Sequence, residues 1–410
     1  MSKLSEVYQK KTDKEHILDN PDTYIGSVEN VEGNHWIYNE NEKKMELKNL
    51  EYIPGLYKLF DEGIVNCRDH VIRMDQKMLD EPEKEHQQVC NIDIKIDDDG
   101  TITMYNDGNG IDIAKHPEYD LWIPEMIFGH LRTSTNYNKE EKKIVGGKNG
   151  FGFKLVLIWS TCGSIETVDH VRKLKYTQSF EKNLDVIHAP KITKSTHKPY
   201  TKITFKPDYK RFEINNLTEN MKQMLIKRVY DISAVTKKSL KIKLNGTLLT
   251  IKTFPQYVDL YLGNTSKVHD DTNKRWEYVI GLSPNHEFNQ VSFVNGIYTS
   301  KGGKHVDYIV QQITKKMIAY IEKKKKITVN ANNIKEQLFV FIRCDIENPA
   351  FDSQTKDYMN TPASKFGSTC IVNDKFIDKL AKLGVMEGAC AIHEVKENKA
   401  AKKNDGSKSK

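Results

Sequence analysis

A glycine-rich segment that leads directly into an apolar stretch constrains this chain more than any other feature. Residues 146–155 read GGKNGFGFKL, and residues 154–160 are predicted to be an apolar helix. Glycines before a helix allow backbone N–H groups and the helix dipole to surround a phosphate. The segment is not a Walker A loop, because no Gly-Lys-Ser/Thr has the required spacing, and it does not follow a strand as a dinucleotide fingerprint does. Both a phosphate cradle and a flexible glycine hinge remain open.

A second candidate is a pair of polar residues on a predicted helix. Apolar residues recur every three or four positions over 51–75, which predicts a helix with Glu62 and Asn66 on one face. A carboxylate at such a position can act as general base on water, and an amide oxygen can join Mg²⁺ coordination. The solvated face of an ordinary amphipathic helix would carry the same pair.

A third candidate, NDGNGI at residues 106–111, follows a predicted β-hairpin. Two β-type runs, 89–96 and 101–105, are joined by an Asp-Asp-Asp-Gly turn at 97–100. Asn106 at the strand end offers both a donor and an acceptor to a base edge, and the two glycines allow the backbone to approach a flat ligand. A tight turn after the hairpin is the alternative.

The remaining pattern predicts two α+β domains. After the glycine-rich segment, a helix near 217–235 lies among short strands, which favours a layered α+β sandwich over a doubly wound sheet; the strands are 164–168, 173–180, 200–205 and 240–244. Past residue 250, two strands (277–282 and 290–294), a helix over 305–325 and a strand at 338–344 resemble a βαβ unit. We therefore predict an arm over residues 1–30, domains over 31–249 and 250–395, and a basic, disordered tail over 396–410.

Composition indicates a water-soluble intracellular protein. The net charge of +7 is compatible with nucleic-acid binding without requiring it. The six cysteines are scattered singly, which predicts neither a disulfide framework nor a zinc site. The N-terminus is polar and no 18 apolar residues run together, so neither a signal peptide nor a membrane span is expected.

Taken in order, the three candidate motifs resemble the Bergerat (GHKL) ATP-binding fold. Further segments, collinear across residues 5–370, resemble eukaryotic-type type IIA DNA topoisomerases: PDTYIGSVE (21–29), LFDEGIVNCRDH (59–70), IPEMIFGHLRTSTNY (123–137), SFVNGIYTSKGGKHVDY (292–308) and IENPAFDSQTKD (346–357). The resemblance implies an α+β chain, with an N-terminal Bergerat-type α/β sandwich followed by a transducer domain of ribosomal-protein-S5-like β/α fold.

The same resemblance implies a role for each site residue. Glu62 would activate the attacking water, Asn66 would hold Mg²⁺, Asn106 would read adenine, and Lys356 would bind the γ-phosphate and stabilise the transition state. The remaining ATP contacts that it implies are Ile111, Ser134, Thr135, Asn136, Gly147, Lys148, Asn149, Gly150, Phe151, Gly152, Phe153, Lys154, Gln354 and Thr355. Tyr8 would reach the partner subunit's nucleotide, with Tyr24 as a rival for interface contact.

Family membership further implies ATP and Mg²⁺ as ligands and a homodimer that ATP closes around double-stranded DNA, driving the strand passage that relaxes or decatenates DNA. The run Lys323, Lys324, Lys325 and Lys326 would contact DNA phosphates, or would be a solvated helix face. The acidic cluster and nucleophilic tyrosine of a cleavage core are absent from this sequence. An ATP-gated clamp with negligible turnover and a MutL-like clamp are the alternative functions.

Several positions depart from the family pattern without removing a catalytic group. Gly63, Arg68 and His70 flank the Glu62 and Asn66 pair, and Lys148, Phe151 and Phe153 lie in the glycine-rich segment. Such divergence suits a protist or a large DNA virus, so the expected location is the nucleus, or the host cytoplasm or virion.

Overall fold

The computed structural model describes residues 11–131, 144 and 152–405, with side chains up to residue 399. The chain divides into two compact units, Met1–Thr253 and Phe254–Lys410. Among the described residues, no helix is both long and apolar enough to cross a membrane.

The first unit combines helices with one large sheet. Its helices are α1 (Asp13–Asp19), α2 (Pro21–Tyr24), α3 (Pro54–Asp80), α4 (Ile123–Gly129), α5 (Gly152–Ile158) and α6 (Glu219–Ala234), with a 3₁₀ turn at Tyr209–Phe212. Its strands are β1 (Val31–Asn39), β2 (Lys44–Tyr52), β3 (Asn91–Ile96), β4 (Ile102–Asp107), β5 (Ser160–Val168), β6 (Leu174–Glu181), β7 (Val186–Ile187), β8 (Lys191–Lys194), β9 (Tyr200–Pro207), β10 (Lys241–Leu244) and β11 (Thr247–Leu248).

A layer of helices covers the sheet that carries the predicted hairpin. Over the described residues, β3 to β11 form a nine-stranded sheet of order β11-β10-β3-β4-β9-β5-β6-β7, with β8 paired to β6. Helix α3 packs against β4, α5 against β5 and β9, and α6 against β10, and α3 also contacts both other helices. The predicted layered sandwich and the β3–β4 hairpin are therefore confirmed. The predicted helix over 154–160 instead ends at Ile158, because Ser160 begins β5.

An antiparallel hairpin, β1–β2, is one of the elements that the sequence pattern did not predict. It packs on α6, where Tyr38 stacks on Tyr230 with ring centroids 4.0 Å apart, and Ile37, Leu50 and Met224 form a small apolar cluster. Most other side chains of the hairpin are exposed or half-buried, so its sequence lacks a regular apolar alternation.

The second unit is built on a smaller mixed sheet. Its helices are α7 (Phe254–Leu262), α8 (Lys304–Lys325), α9 (Ala331–Lys335), α10 (Asp374–Leu380) and α11 (Met386–Asp405), with a 3₁₀ turn at Ala363–Lys365 and a π-helical turn at Ala381–Val385. Its strands are β12 (Lys267–Asn273), β13 (Trp276–Leu282), β14 (Asn289–Val294), β15 (Ile297–Tyr298) and β16 (Leu338–Cys344), in the order β12-β13-β16-β14-β15.

The predicted βαβ unit is present in this sheet. Strand β14 pairs with β16 in parallel, and the long helix α8 connects them. Ile309, Ile313, Met317 and Ile321 recur every four residues along α8 and are fully buried. This apolar stripe is what the helical periodicity of the sequence indicated.

The prediction of a disordered tail is wrong for the first ten residues of that segment. Helix α11 continues to Asp405 and so includes 396–405. Six of these ten residues are Lys or Ala, which have high helix propensity, and this outweighs the low apolar content of the segment.

Candidate nucleotide site

Helix α3 and the first residue of α5 bring three predicted site residues together. Glu62 and Asn66 lie on the same face of α3, and a Cβ atom on Gly152 would lie 2.5 Å from Glu62 Oε2 and 3.9 Å from Asn66 Nδ2. Because a contact of 2.5 Å is too close, a side chain at position 152 would have to displace the Glu62 carboxylate. The end of the glycine-rich segment therefore lies directly against the proposed base and the proposed Mg²⁺ ligand.

Lys58 holds one oxygen of the Glu62 carboxylate. Its Nζ lies 2.8 Å from Glu62 Oε1 and 3.3 Å from Asp61 Oδ2, and all three side chains are buried. Burial alone would lower the pKa of Lys58, but the carboxylates of Glu62 and Asp61 raise it above its usual value. Oε1 is thus fixed by a charged partner while Oε2 faces Gly152. Sequence reasoning missed Lys58, although its spacing of four residues from Glu62 was a usable signal.

Lys154, two residues after Gly152 on α5, carries a buried ammonium. Its side chain is 4% exposed, and burial lowers its pKa to about 8. An anion bound nearby would stabilise the charged form, as expected for a phosphate-binding lysine. The neighbouring Phe153 side chain packs edge-on against Phe128 and Phe205, so a nucleotide contact from Phe153 would use its backbone.

The unusual Gly63 has a packing explanation. A Cβ atom at this position would lie 2.5 Å from Met104 Sδ and 3.3 Å from the ring of Phe153. The absent side chain thus leaves room for the side chains of Met104 and Phe153.

Asn106 ends β4 beside two threonine hydroxyl groups that the sequence did not single out. Asn106 Nδ2 donates to the Asp107 carbonyl at 2.9 Å. In the sheet, Asn106 lies opposite Thr201 of β9. Thr167 Oγ1 lies 3.2 Å from Thr201 Oγ1 and accepts a 3.0 Å hydrogen bond from Ile111 N. Only the sheet register brings these strands together, so local sequence contained no signal for the threonines.

The loop that follows Asn106 and the end of β4 is held by the segment after α3. Asn109 Oδ1 accepts from Gln87 N at 2.6 Å, and Asn109 Nδ2 donates to His86 Nδ1 at 2.9 Å. Since His86 Nδ1 accepts, His86 Nε2 donates to Glu81 Oε2 at 2.8 Å. We call His86 and Asn109 the clasp. Sequence reasoning assigned neither residue a role.

A close backbone contact also fixes this loop. Gly110 has φ +72°, and a Cβ atom on it would lie 2.0 Å from the Val168 carbonyl oxygen. Only glycine fits there.

The residues present fit a Mg²⁺ ion that is held chiefly by phosphate. Asn66 offers an amide oxygen beside the Glu62 carboxylate, and no group of three or more His, Cys, Asp or Glu suited to a metal occurs within the described part of the chain. Mg²⁺ in nucleotide sites is usually held by one or two protein groups together with the phosphates.

In the second unit, the predicted loop with Gln354, Thr355 and Lys356 forms a tight turn. Lys356 has φ +62°, and its N–H donates to the Ser353 carbonyl at 3.2 Å. Thr355 Oγ1 donates to Asp357 Oδ2 at 2.9 Å, and Asp357 Oδ1 accepts from Ser300 Oγ at 3.0 Å. The backbone of Lys356 is therefore held in a left-handed conformation that non-glycine residues seldom adopt.

The predicted DNA-contact lysines 323–326 are exposed at the end of α8. Lys326 has φ +61° and ends the helix. Lysines here also complement the negative end of the helix dipole, so exposure fits both alternatives. Several other predicted site residues lie outside the described residues, namely Tyr8, Ser134, Thr135, Asn136, Gly147, Lys148, Asn149, Gly150 and Phe151.

Similar sequences cover nearly the whole chain. A DNA topoisomerase 2 of Arabidopsis thaliana is 43% identical over 99% of this chain, and one of Acanthamoeba polyphaga mimivirus is 41% identical over 98%. The chain spans only 27% and 32% of the lengths of these two relatives. A family model described as DNA gyrase B matches residues 251–409.

Similar solved structures cover the same extent. The ATPase region of Saccharomyces cerevisiae topoisomerase II superimposes with a TM-score of 0.87 at 42% identity, covering 95% of this chain and 100% of that one. The ATPase and transducer domains of DNA topoisomerase II from Balamuthia mandrillaris give a TM-score of 0.88 at 38% identity, covering 96% and 99%.

Proposed function

Since this chain belongs to the topoisomerase II family and matches its ATPase region, we propose that it binds ATP with Mg²⁺ and hydrolyses it. The observation that carries the proposal is the arrangement around Glu62. Lys58 holds Oε1 while Oε2 faces Gly152, at the point where the glycine-rich segment enters α5. A carboxylate so oriented is suited to take a proton from a water that attacks the γ-phosphate.

Each remaining group has a distinct task in this proposal. Asn106 hydrogen-bonds the adenine edge, with Thr201 beside it on the neighbouring strand. Lys154 binds phosphate through its buried ammonium, and Lys356 contacts the γ-phosphate and stabilises charge that develops in the transition state. Bound Mg²⁺, held by Asn66, would neutralise charge on the triphosphate.

We further propose that the chain acts as the ATP-dependent N-gate of a longer topoisomerase. Two copies would close around a DNA duplex when ATP binds and reopen after hydrolysis, driving strand passage that relaxes or decatenates DNA. Tyr8 would contact the partner's nucleotide, and lysines 323–326 would contact the DNA. Such a protein would act in the nucleus of a cellular eukaryote, or in the host cytoplasm or virion of a virus.

Replacing the base tests the proposal. Glu62→Gln keeps the shape of the side chain but removes the proton acceptor, so ATP turnover should fall by about 10²-fold or more. Phosphate release measures turnover, and binding of a non-hydrolysable ATP analogue should be retained. Asp80→Asn, an exposed carboxylate at the end of the same helix, is the matched control and should turn over normally.

Two outcomes would contradict the proposal. Near wild-type turnover in Glu62→Gln would remove Glu62 as the base. Analogue binding without measurable turnover in the wild-type chain would instead favour an ATP-gated clamp.

A further inference from the structure

A series of buried, charged side chains connects Glu62 with helix α6. Lys58 Nζ contacts both Glu62 and Asp61, and the second oxygen of Asp61, Oδ1, accepts from Arg228 Nε at 2.7 Å. Arg228 is fully buried, and its Nη1 also lies 3.9 Å from Asp231 Oδ2. A line of alternating charges therefore connects a residue of α6 to the proposed base on α3.

Stability alone is a weak reason for such a line. Removing an arginine and an aspartate from water costs several kcal/mol per ion, and well-packed apolar residues of similar volume often stabilise a protein as well or better. Glu62, Lys58, Asp61 and Arg228 are each less than a tenth exposed. A positional role explains why charged groups occupy this interior.

The geometry around Lys58 identifies that role. Its ammonium has two acceptors, Glu62 Oε1 at 2.8 Å and Asp61 Oδ2 at 3.3 Å. Because Arg228 engages Asp61 from the other side, Asp61 is compensated and the ammonium stays nearer Glu62. Without Arg228, Asp61 would be an uncompensated buried carboxylate and would draw Lys58 away from Glu62.

We propose that Arg228 is a positioning residue for the base: by compensating Asp61, it keeps Lys58 on Glu62 and so keeps Oε2 directed at the start of α5. This inference rests on the proposed role of Glu62 in ATP hydrolysis. It deepens that role by extending the hydrolytic machinery to a second helix.

Arg228→Gln tests the proposal, because glutamine keeps a hydrogen-bond donor for Asp61 but lacks the charge. The kcat for ATP should fall by roughly 10-fold to 10²-fold, the range in which small misplacements of catalytic groups act. Affinity for a non-hydrolysable ATP analogue should stay within about twofold, because no ligand contact is altered.

Two further variants separate positioning from a general structural role. Adding Asp61→Asn to Arg228→Gln removes the competing carboxylate, so kcat should return to within a few-fold of wild type. Lys237→Met removes a cation just after α6 that pairs with Asp75 of α3 at 2.5 Å, more than ten residues along that helix from Lys58 and Asp61. It should lower the melting temperature without lowering kcat of the folded protein.

Two results would overturn the proposal. One is a wild-type kcat in folded Arg228→Gln, and the other is a double variant that keeps its affinity for the analogue but stays as slow as Arg228→Gln. Should Arg228→Gln fail to fold, Arg228→His decides, because an imidazole compensates Asp61 only while it is protonated and loses that charge as pH rises. A kcat relative to wild type that falls as pH rises supports the proposal, and a ratio that stays constant with pH overturns it. If wild type hydrolyses ATP and Glu62→Gln does not, either negative result removes only the role of Arg228.

Discussion

At the scale of single residues, Lys154 is a cation of the candidate site whose pKa lies well below the usual value of a lysine. Its side chain is buried, and burial lowers its pKa to about 8. Below that pH the free protein already carries the charge that a phosphate needs. Above it, binding must first add a proton to Lys154.

We therefore expect affinity for a non-hydrolysable ATP analogue to fall as pH rises from about 8 to 9.5. Calorimetry in buffers of different ionisation enthalpy should also detect proton uptake on binding in this range. Lys154→Met should bind more weakly at every pH and lose both the decline and the proton uptake. If the decline persists in Lys154→Met, another group is responsible and the phosphate contact of Lys154 is wrong.

At the scale of elements, the segment between α3 and β3 supports the loop after β4. In the clasp, His86 accepts a hydrogen bond from Asn109 of the loop, and Glu81 orients the imidazole of His86. Asn106 lies in β4 immediately before this loop, so a connection with no ligand contact of its own is expected to influence nucleobase binding.

His86→Ala should weaken ATP analogue binding severalfold, as the loss of a buried hydrogen bond of about 1–3 kcal/mol would allow. It should also reduce the preference for ATP over GTP, because Asn106 would be less well fixed. Competition binding with both nucleotides measures the two effects. His188→Ala, which breaks a more exposed His–Glu pair with Glu181, is the matched control. Equal loss in both variants would mean that the clasp contributes only to general stability.

At the scale of the whole molecule, ligand binding should determine assembly. We expect the free chain to be largely monomeric, and a non-hydrolysable ATP analogue with Mg²⁺ to produce a symmetric dimer, because a ligand shifts the population toward the state it binds best. Light scattering with and without analogue checks this. A mass that stays constant through a saturating titration would contradict the gate.

The loop of the second unit should sense the γ-phosphate. Lys356→Ala removes the ammonium, so ATP turnover should fall because up to several kcal/mol of transition-state stabilisation is lost. ADP binding should be preserved. ADP lacks the group that Lys356 would contact. Turnover measured alongside ADP affinity separates the effects, and equal weakening of ATP and ADP would make Lys356 structural only.

Local sequence determined much of this protein. Helical periodicity placed Glu62 and Asn66 on one face of α3, and the sequence also predicted the long helix over 305–325 that α8 forms. The turn between β3 and β4 predicted their hairpin. These features depend on residues within a few positions of one another, where backbone preferences and side-chain period act directly.

Only the tertiary structure decided which distant groups meet. Gly152 lies against Glu62, Thr201 pairs with Asn106, and Arg228 reaches Asp61 from a helix far along the chain. No local pattern encodes such contacts, because they arise when the helices and sheet bury their apolar faces together. The sequence by itself thus proposed which groups would carry the chemistry, whereas packing decided which residues contact them.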